Sequence, residues 1–169
     1  MRTIMTIVAA SMLIIMAGTG CTKKPSTKHM SGYQFVTMVD TMVSWDVPPN
    51  VVVTSEVHFG SRQIVKGVRL NNTVFQKAVY LDSLTCHTLE FERSVFEGEL
   101  YFGTAVFTGY VGFCYAEFRK GVWTSGATFY EPVYFDEAKF YTLNTYLQSY
   151  RNGLDWGNAQ FTYDALFGN

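Results

Sequence analysis

The feature that most constrains this chain is a side-chain repeat with a period of eleven. Phe96, Phe107, Phe118, Phe129 and Phe140 lie eleven apart, and Ala105, Ala116, Ala127 and Ala138 each stand two residues before one of them. Ser94 fills the same slot before Phe96. A second series interleaves: Leu100-Tyr101-Phe102, Val111-Gly112-Phe113, Val122-Trp123-Thr124 and Val133-Tyr134-Phe135. The chain therefore advances in alternating steps of five and six, each unit carrying a small or aliphatic residue, an outward residue and a large centre. Self-similarity at a fixed period marks a solenoid, in which a unit buries its apolar face only against its neighbours.

With either step allowed, the centres extend upstream through Val53, Phe59, Ile64, Leu70, Phe75, Tyr80, Cys86 and Phe91. Downstream they continue through Tyr146, Arg151, Trp156, Phe161 and Phe167. Two apolar residues separated by one is strand alternation, because successive side chains point to opposite faces. Each unit then reads as a very short strand, with Gly98, Gly109, Gly126 and Asn72 at corners that need permissive backbone. A coil closing in four faces uses 22 residues. One face collects Val53, Phe75, Phe96, Phe118, Phe140 and Phe161, and another Leu70, Phe91, Phe113, Phe135 and Trp156. Fourteen Phe, eleven Tyr and three Trp make the chain 17% aromatic, enough to fill such a stack axially.

The segments AVFTG, AEFRK, ATFYE and AKFYT resemble the pentapeptide-repeat family, whose units centre on Leu or Phe with a small residue, usually Ala, two places earlier. The resemblance covers about residues 51–146 and extends toward 167. It implies an all-β fold, a right-handed quadrilateral β-helix with its centres stacked inside as ladders. Six-residue steps and Val in the Ala slot depart from the strict pattern. A triangular hexapeptide β-helix is the nearest rival, but it wants steady steps of six. Strands stacked at ~4.8 Å give about five coils a length of roughly 25 Å.

Residues 1–20 carry one positive charge at Arg2, an apolar run from Ile4 to Ala17 and then small residues, the pattern of a signal peptide. Gly18-Thr19-Gly20-Cys21 resembles the bacterial lipobox, with Gly18 where Leu is usual. That resemblance implies acylation of Cys21, attachment to membrane lipid, and a location on the periplasmic side of the outer membrane or at the cell surface. Residues 21–31 then read as a lipid-proximal tether. Residues 32–47 read as an amino-terminal capping helix with Phe35, Met38, Val39 and Met42 on one face, ended by Pro48-Pro49. The repeat domain runs over 48–146, and 147–169 forms a last coil or a carboxy-terminal cap with its weakest join at Arg151.

The outward positions carry the candidate surface. Val79, Tyr101 and Trp123 are expected to align as a binding strip on one face, and Val52, Val74 and Val95 on its neighbour. An apolar exterior calls for a covering or a partner. The amino-terminal helix is one candidate covering; a partner protein or a glycan is the other. Arg69 is expected beside Glu90, and Glu117 beside Lys139, as cross-strand pairs worth ~0.2–1 kcal/mol. Cys86 maps inward and Cys114 one coil plus one face away, so no bridge is expected between them. His29 falls in the tether, while His58 and His87 map to different faces without a Cys or carboxylate at metal spacing. No metal site and no cofactor are assigned.

No P-loop, dinucleotide glycine motif or nucleophile elbow occurs, and no acid or base is assigned among Glu97, Glu99, Glu131, Asp136 and Glu137. Three functions follow. The first is a non-enzymatic, membrane-anchored scaffold that binds a protein or glycan of the cell envelope. The second is a carbohydrate-binding or carbohydrate-cleaving β-helix. The third, carried by the family resemblance, is a DNA mimic that binds topoisomerase. Export opposes that third reading, and so does the near-balance of 13 basic and 14 acidic residues, which also disfavours nucleic acid as a partner.

Overall fold

A computed structural model describes residues 26–142 and 157–160, together with the backbone at 146–148, 154–155, 161 and 166–168. Two- and three-residue strands recur along the chain and stack into four parallel sheets, forming a β-solenoid of about five turns with one short helix near the amino terminus. In chain order each coil visits face I, face II, face III and face IV. The first full coil does so with Val51–Val53, Val57–His58, Gln63–Ile64 and Val68–Arg69.

Faces I and IV carry the expected ladders. On face I, Val53, Phe75, Phe96, Phe118, Phe140 and Phe161 are consecutive register partners. The rings of Phe75, Phe96, Phe118 and Phe140 stack at 5.1, 5.1 and 4.7 Å. Behind face IV, Phe91, Phe113 and Phe135 stack at 5.3 and 5.2 Å. The two columns meet edge to face, as between Phe113 and Phe118 at 5.4 Å and 64°. This alternation of offset stacks and T-shaped contacts fills the interior with the geometries that aromatic quadrupoles favour, each pair worth ~0.5–1.5 kcal/mol beyond its burial. Trp156, expected in the second column, lies outside the described residues.

The steps follow a rule that the sequence pattern only half reveals. Passing from face I to face II takes six residues in the first four coils, Val53 to Phe59, Phe75 to Leu81, Phe96 to Phe102 and Phe118 to Thr124, and seven in the next, where Tyr146, expected as a centre, is instead the register partner of outward Trp123. Passing from face II to face III always takes five. The expected centre Tyr80 is therefore replaced by Leu81, which is fully buried, and Tyr80 points outward. Leu fills that interior without a polar atom, whereas a buried Tyr hydroxyl would need a partner there.

Corner geometry sets which small residues are needed. The turns into faces III and I are tight, closed by i to i+3 hydrogen bonds such as Ala105 N to Phe102 O (3.0 Å) and Ala116 N to Phe113 O (2.9 Å). They hold left-handed residues, among them Asn72, Arg93, Tyr115 and Gly126. Strands entered through these turns mostly take Thr73, Ser94, Ala105, Ala116, Ala127 and Ala138 before the centre. Strands entered through the longer corners take Val57, Val79, Leu100, Val122 or Val68, Leu89, Val111 and Val133. Val in the Ala slot is thus a consequence of corner length. Gly98 meets a different requirement, since a Cβ there would lie 2.2 Å from the Lys77 carbonyl carbon in the coil before.

The amino-terminal segment closes the first coil on three sides. Within the expected tether, Lys28–Met30 form a strand paired in parallel with Val51–Val53, and Met30 is buried. An open parallel edge supplies unpaired N–H and C=O groups, and this strand satisfies them. The helix spans Gly32–Thr41 rather than 32–47. Ser31 and Gln34 form a capping box, and the chain turns extended at Met42, ahead of the two prolines. The released residues have other work: Trp45 O accepts from Arg69 N at 2.6 Å, and Val47 N donates to Arg69 O at 2.9 Å, covering the edge of face IV. The helix lays Phe35, Val36 and Val39 on the open end, with Phe35 edge-on to Phe75 at 5.4 Å. Arg62 Nε holds both Asp40 oxygens at 2.9 Å.

Phe118 stacks between Phe96 and Phe140 and is fully buried. Phe118→Ala is expected to lower unfolding free energy by about 3–5 kcal/mol, checked by urea titration followed by circular dichroism.

Candidate functional site

The exterior differs sharply from face to face. Face III presents Gln63, Thr85, Val106 and Thr128 in register. Face IV presents Arg69, Glu90, Gly112 and Tyr134. Face I begins apolar, with Val52, Val74 and Val95 aligned, and then turns charged at Glu117 and Lys139. Face II carries an aromatic row along four coils: His58, Tyr80, Tyr101 and Trp123.

This row corrects the expected strip. Tyr101 and Trp123 are neighbours, with ring centroids 6.3 Å apart, but Val79 is fully buried and packs inside beside Leu100. Its outward place belongs to Tyr80, 5.0 Å from Tyr101 and 4.5 Å from His58. Reading Val79-Tyr80-Leu81 in line with Leu100-Tyr101-Phe102 reveals the register. Cys21, the expected acylation site, lies outside the described residues.

The ring planes in this row are nearly parallel, with interplanar angles of 5°, 3° and 10°. Each interior ring therefore gives both faces to its neighbours and turns an edge to solvent. Sugar recognition by an aromatic platform requires an open ring face, so Tyr101 is poorly disposed for it. An edge-on wall of half-buried rings suits lateral packing by another polypeptide. Polar groups anchor the row. Tyr101 donates to Glu99 at 2.6 Å, and that bond, with burial and the carboxylate charge, pushes its phenol up to about 12. His58 Nε2 lies 3.3 Å from Glu56.

The charged pairs sit where the repeat places them. Arg69 Nε meets Glu90 at 3.1 Å, and Lys139 Nζ meets Glu117 at 3.9 Å. Arg119 adds an unanticipated contact to Glu97 at 3.1 Å. These solvated pairs tie adjacent coils. His87 Nδ1 pairs with Thr108 Oγ1 at 3.1 Å. Among the described residues no group of three His, Cys, Asp or Glu side chains is placed to hold a metal ion, and no helix is long and apolar enough to cross a membrane.

Cys86 and Cys114 are free. Cys86 lies inside face III, in register between Ile64 and Phe107, whereas Cys114 follows Phe113 at the corner leading to face I. Burial pushes the Cys86 thiol up to about 12 and also raises Cys114, with the charge of Asp136 adding to it.

No family model, curated protein or solved structure matches the chain.

Since the thiolate is the reactive form, Cys86 is expected to resist an aromatic disulfide reagent at pH 8 and to react only as the protein unfolds. Titrating reactivity against urea, with Cys21→Ser and Cys114→Ser to isolate the signal, checks this.

Proposed function

We propose that this protein is a non-enzymatic, lipid-anchored repeat scaffold that offers a rigid lateral surface to a protein of the cell envelope. The observation that carries the reading is the exterior asymmetry. Half-buried Tyr80, Tyr101 and Trp123 on face II adjoin Val52, Val74 and Val95 on face I, while the other two faces are largely polar. Two apolar outward rows on adjacent faces, separated by a corner that carries Lys77, Glu97, Glu99 and Lys120, fit a partner surface that is apolar along two lines and polar between them. Because the strands are fixed by their coil neighbours on both sides, such a surface needs little ordering on binding.

The anchor half of the proposal rests on the sequence of residues 1–21, with Cys21 as acceptor of the acyl chain. The small residue two places before each Phe favours a pentapeptide-repeat-like chain whose unequal corners admit Val. A glycan is the second candidate partner, through Trp123, whose register partner in the next coil is Tyr146. The near-balance of charge gives no support to nucleic-acid mimicry.

Two outcomes test the two halves separately. Radiolabelled palmitate is expected to enter the wild type and not Cys21→Ala in a bacterial host, with the wild type in the membrane fraction; equal labelling of both overturns the anchor. Photo-crosslinkers at Val74 and Tyr101 are expected to trap a discrete envelope protein that the same probe at Thr128 on face III does not. Identical patterns from all three positions, or a glycan column that retains wild type but not Trp123→Ala, overturn the protein-binding half.

A further inference from the structure

Face IV contains a break in its outward row that neither the fold nor the surface described above requires. The register runs Arg69, Glu90, Gly112, Tyr134, so Gly112 leaves one place without a side chain. Glycine within a strand is unfavourable, and it usually marks a bulge, a bend or a close approach of backbone or ligand. Gly112 pairs regularly on both sides and is absent from the left-handed residues. A Cβ placed on it would meet Glu90 Cγ at 3.7 Å and Tyr110 Cε2 at 3.8 Å, ordinary contacts. Gly98, Gly103 and Gly109 differ, since a Cβ on any of them would collide with the coil before. The chain thus forgoes a side chain that would fit.

The result is a cleft of about 170 Å³ lined by Glu90, Glu92, Tyr110, Gly112, Cys114 and Tyr134. Tyr110 and Tyr134 form two walls at 74° with centroids 5.9 Å apart. Tyr110 is 38% exposed. Glu90 stands at the inner end, accepting from the Tyr110 hydroxyl and from Arg69 Nε. Glu92 lies at the rim, paired with Arg93, whose guanidinium is drawn away over Tyr115 at 4.9 Å. Each carboxylate is paired with an arginine, but Arg69 is shared with Asp46, and Asp136 also acts on Cys114 in the lining, so carboxylates outnumber guanidinium groups around the cleft. Donation to Glu90, burial and that carboxylate's charge raise the Tyr110 phenol against the opposing effect of Arg69.

Two aromatic walls at a wide angle, a carboxylate behind them and little other polar surface suit a weakly hydrated organic cation. A primary ammonium would lose more hydration than this lining returns, whereas a methylated one would not. We propose that the Gly112 cleft binds a trimethylammonium group, with Tyr110 and Tyr134 contacting the methyl groups and Glu90 and Glu92 supplying the countercharge. The proposal is independent of the apolar rows on faces I and II.

The test uses the full chain, titrated with choline chloride and with ethanolamine hydrochloride and followed by calorimetry. Saturable choline binding at millimolar concentration or tighter is expected, with ethanolamine at least tenfold weaker. Gly112→Val fills the cleft in a strand that favours β-branched residues, so it should melt no lower than wild type and lose choline binding at least tenfold. Tyr134→Leu keeps an apolar wall but removes the ring, and the same loss is expected. Phosphatidylcholine vesicles distinguish a lipid headgroup from a free ligand: co-sedimentation reduced by Gly112→Val assigns the headgroup, and vesicle binding indifferent to it assigns the free cation. Absence of choline binding to wild type, equal affinity for ethanolamine, or binding undiminished in both variants overturns the proposal.

Discussion

Everything in this molecule depends on keeping successive coils in register at the spacing of a parallel sheet. Strands two or three residues long cannot hold themselves, and a two-residue strand makes few hydrogen bonds. What secures them is that the ~4.8 Å separation of hydrogen-bonded strands also brings Phe rings one coil apart into offset contact. The stack from Phe75 to Phe140 at 4.7–5.1 Å is the same constraint seen from inside. A one-residue slip would turn each centre outward and replace it with Val95, Glu117 or Lys139.

That dependence explains the corners and the ends. A corner has to return the next centre to the axis whatever its length, so the tight turns take left-handed residues and small partners while the longer ones admit Val and Leu. Asn50, Asn72, Arg93, Tyr115 and Glu137 recur at one corner, coil after coil, all at positive φ. Two of these are asparagines, and the other three, Arg93, Tyr115 and Glu137, pay a steric cost there that the stacked coils hold in place. At the amino-terminal end the stack would expose both an apolar disc and open strand edges. The Lys28–Met30 strand, the Gly32–Thr41 helix and the Trp45–Val47 stretch cover these between them.

The architecture was legible because the Phe repeat directly encodes the interior. The 94–140 stretch yields the Phe96–Phe118–Phe140 register on face I with its Glu117–Lys139 contact, and the steps extended upstream from it yield the Arg69–Glu90 contact. Legibility failed where the step length was ambiguous. Between Phe75 and Phe96 the coil has 21 residues, because only His87 and Thr88 separate Cys86 from Leu89, and a five-residue step assigned before position 80 instead puts Val79 outside and Tyr80 inside. The helix end at Thr41 was hidden for another reason. Nothing local stops a helix before Pro48, and it ends early because Trp45 and Val47 pair with Arg69, a contact between segments distant in sequence. The edge-on orientation of the Tyr80 and Tyr101 rings, which bears on what the surface accepts, has no sequence signature at all.

The central claim is that equivalent residues in successive coils lie one above another along a single axis. Spin labels at Thr85→Cys and Thr128→Cys, in a chain with Cys21 and Cys114 replaced by Ser, test it most directly, because both positions face outward on face III with Val106 between them. Two strand spacings separate their backbones by ~10 Å. Strong dipolar broadening is expected in the double-labelled protein, absent from either single label and lost in urea. A double-labelled spectrum equal to the sum of the two single-label spectra would contradict it.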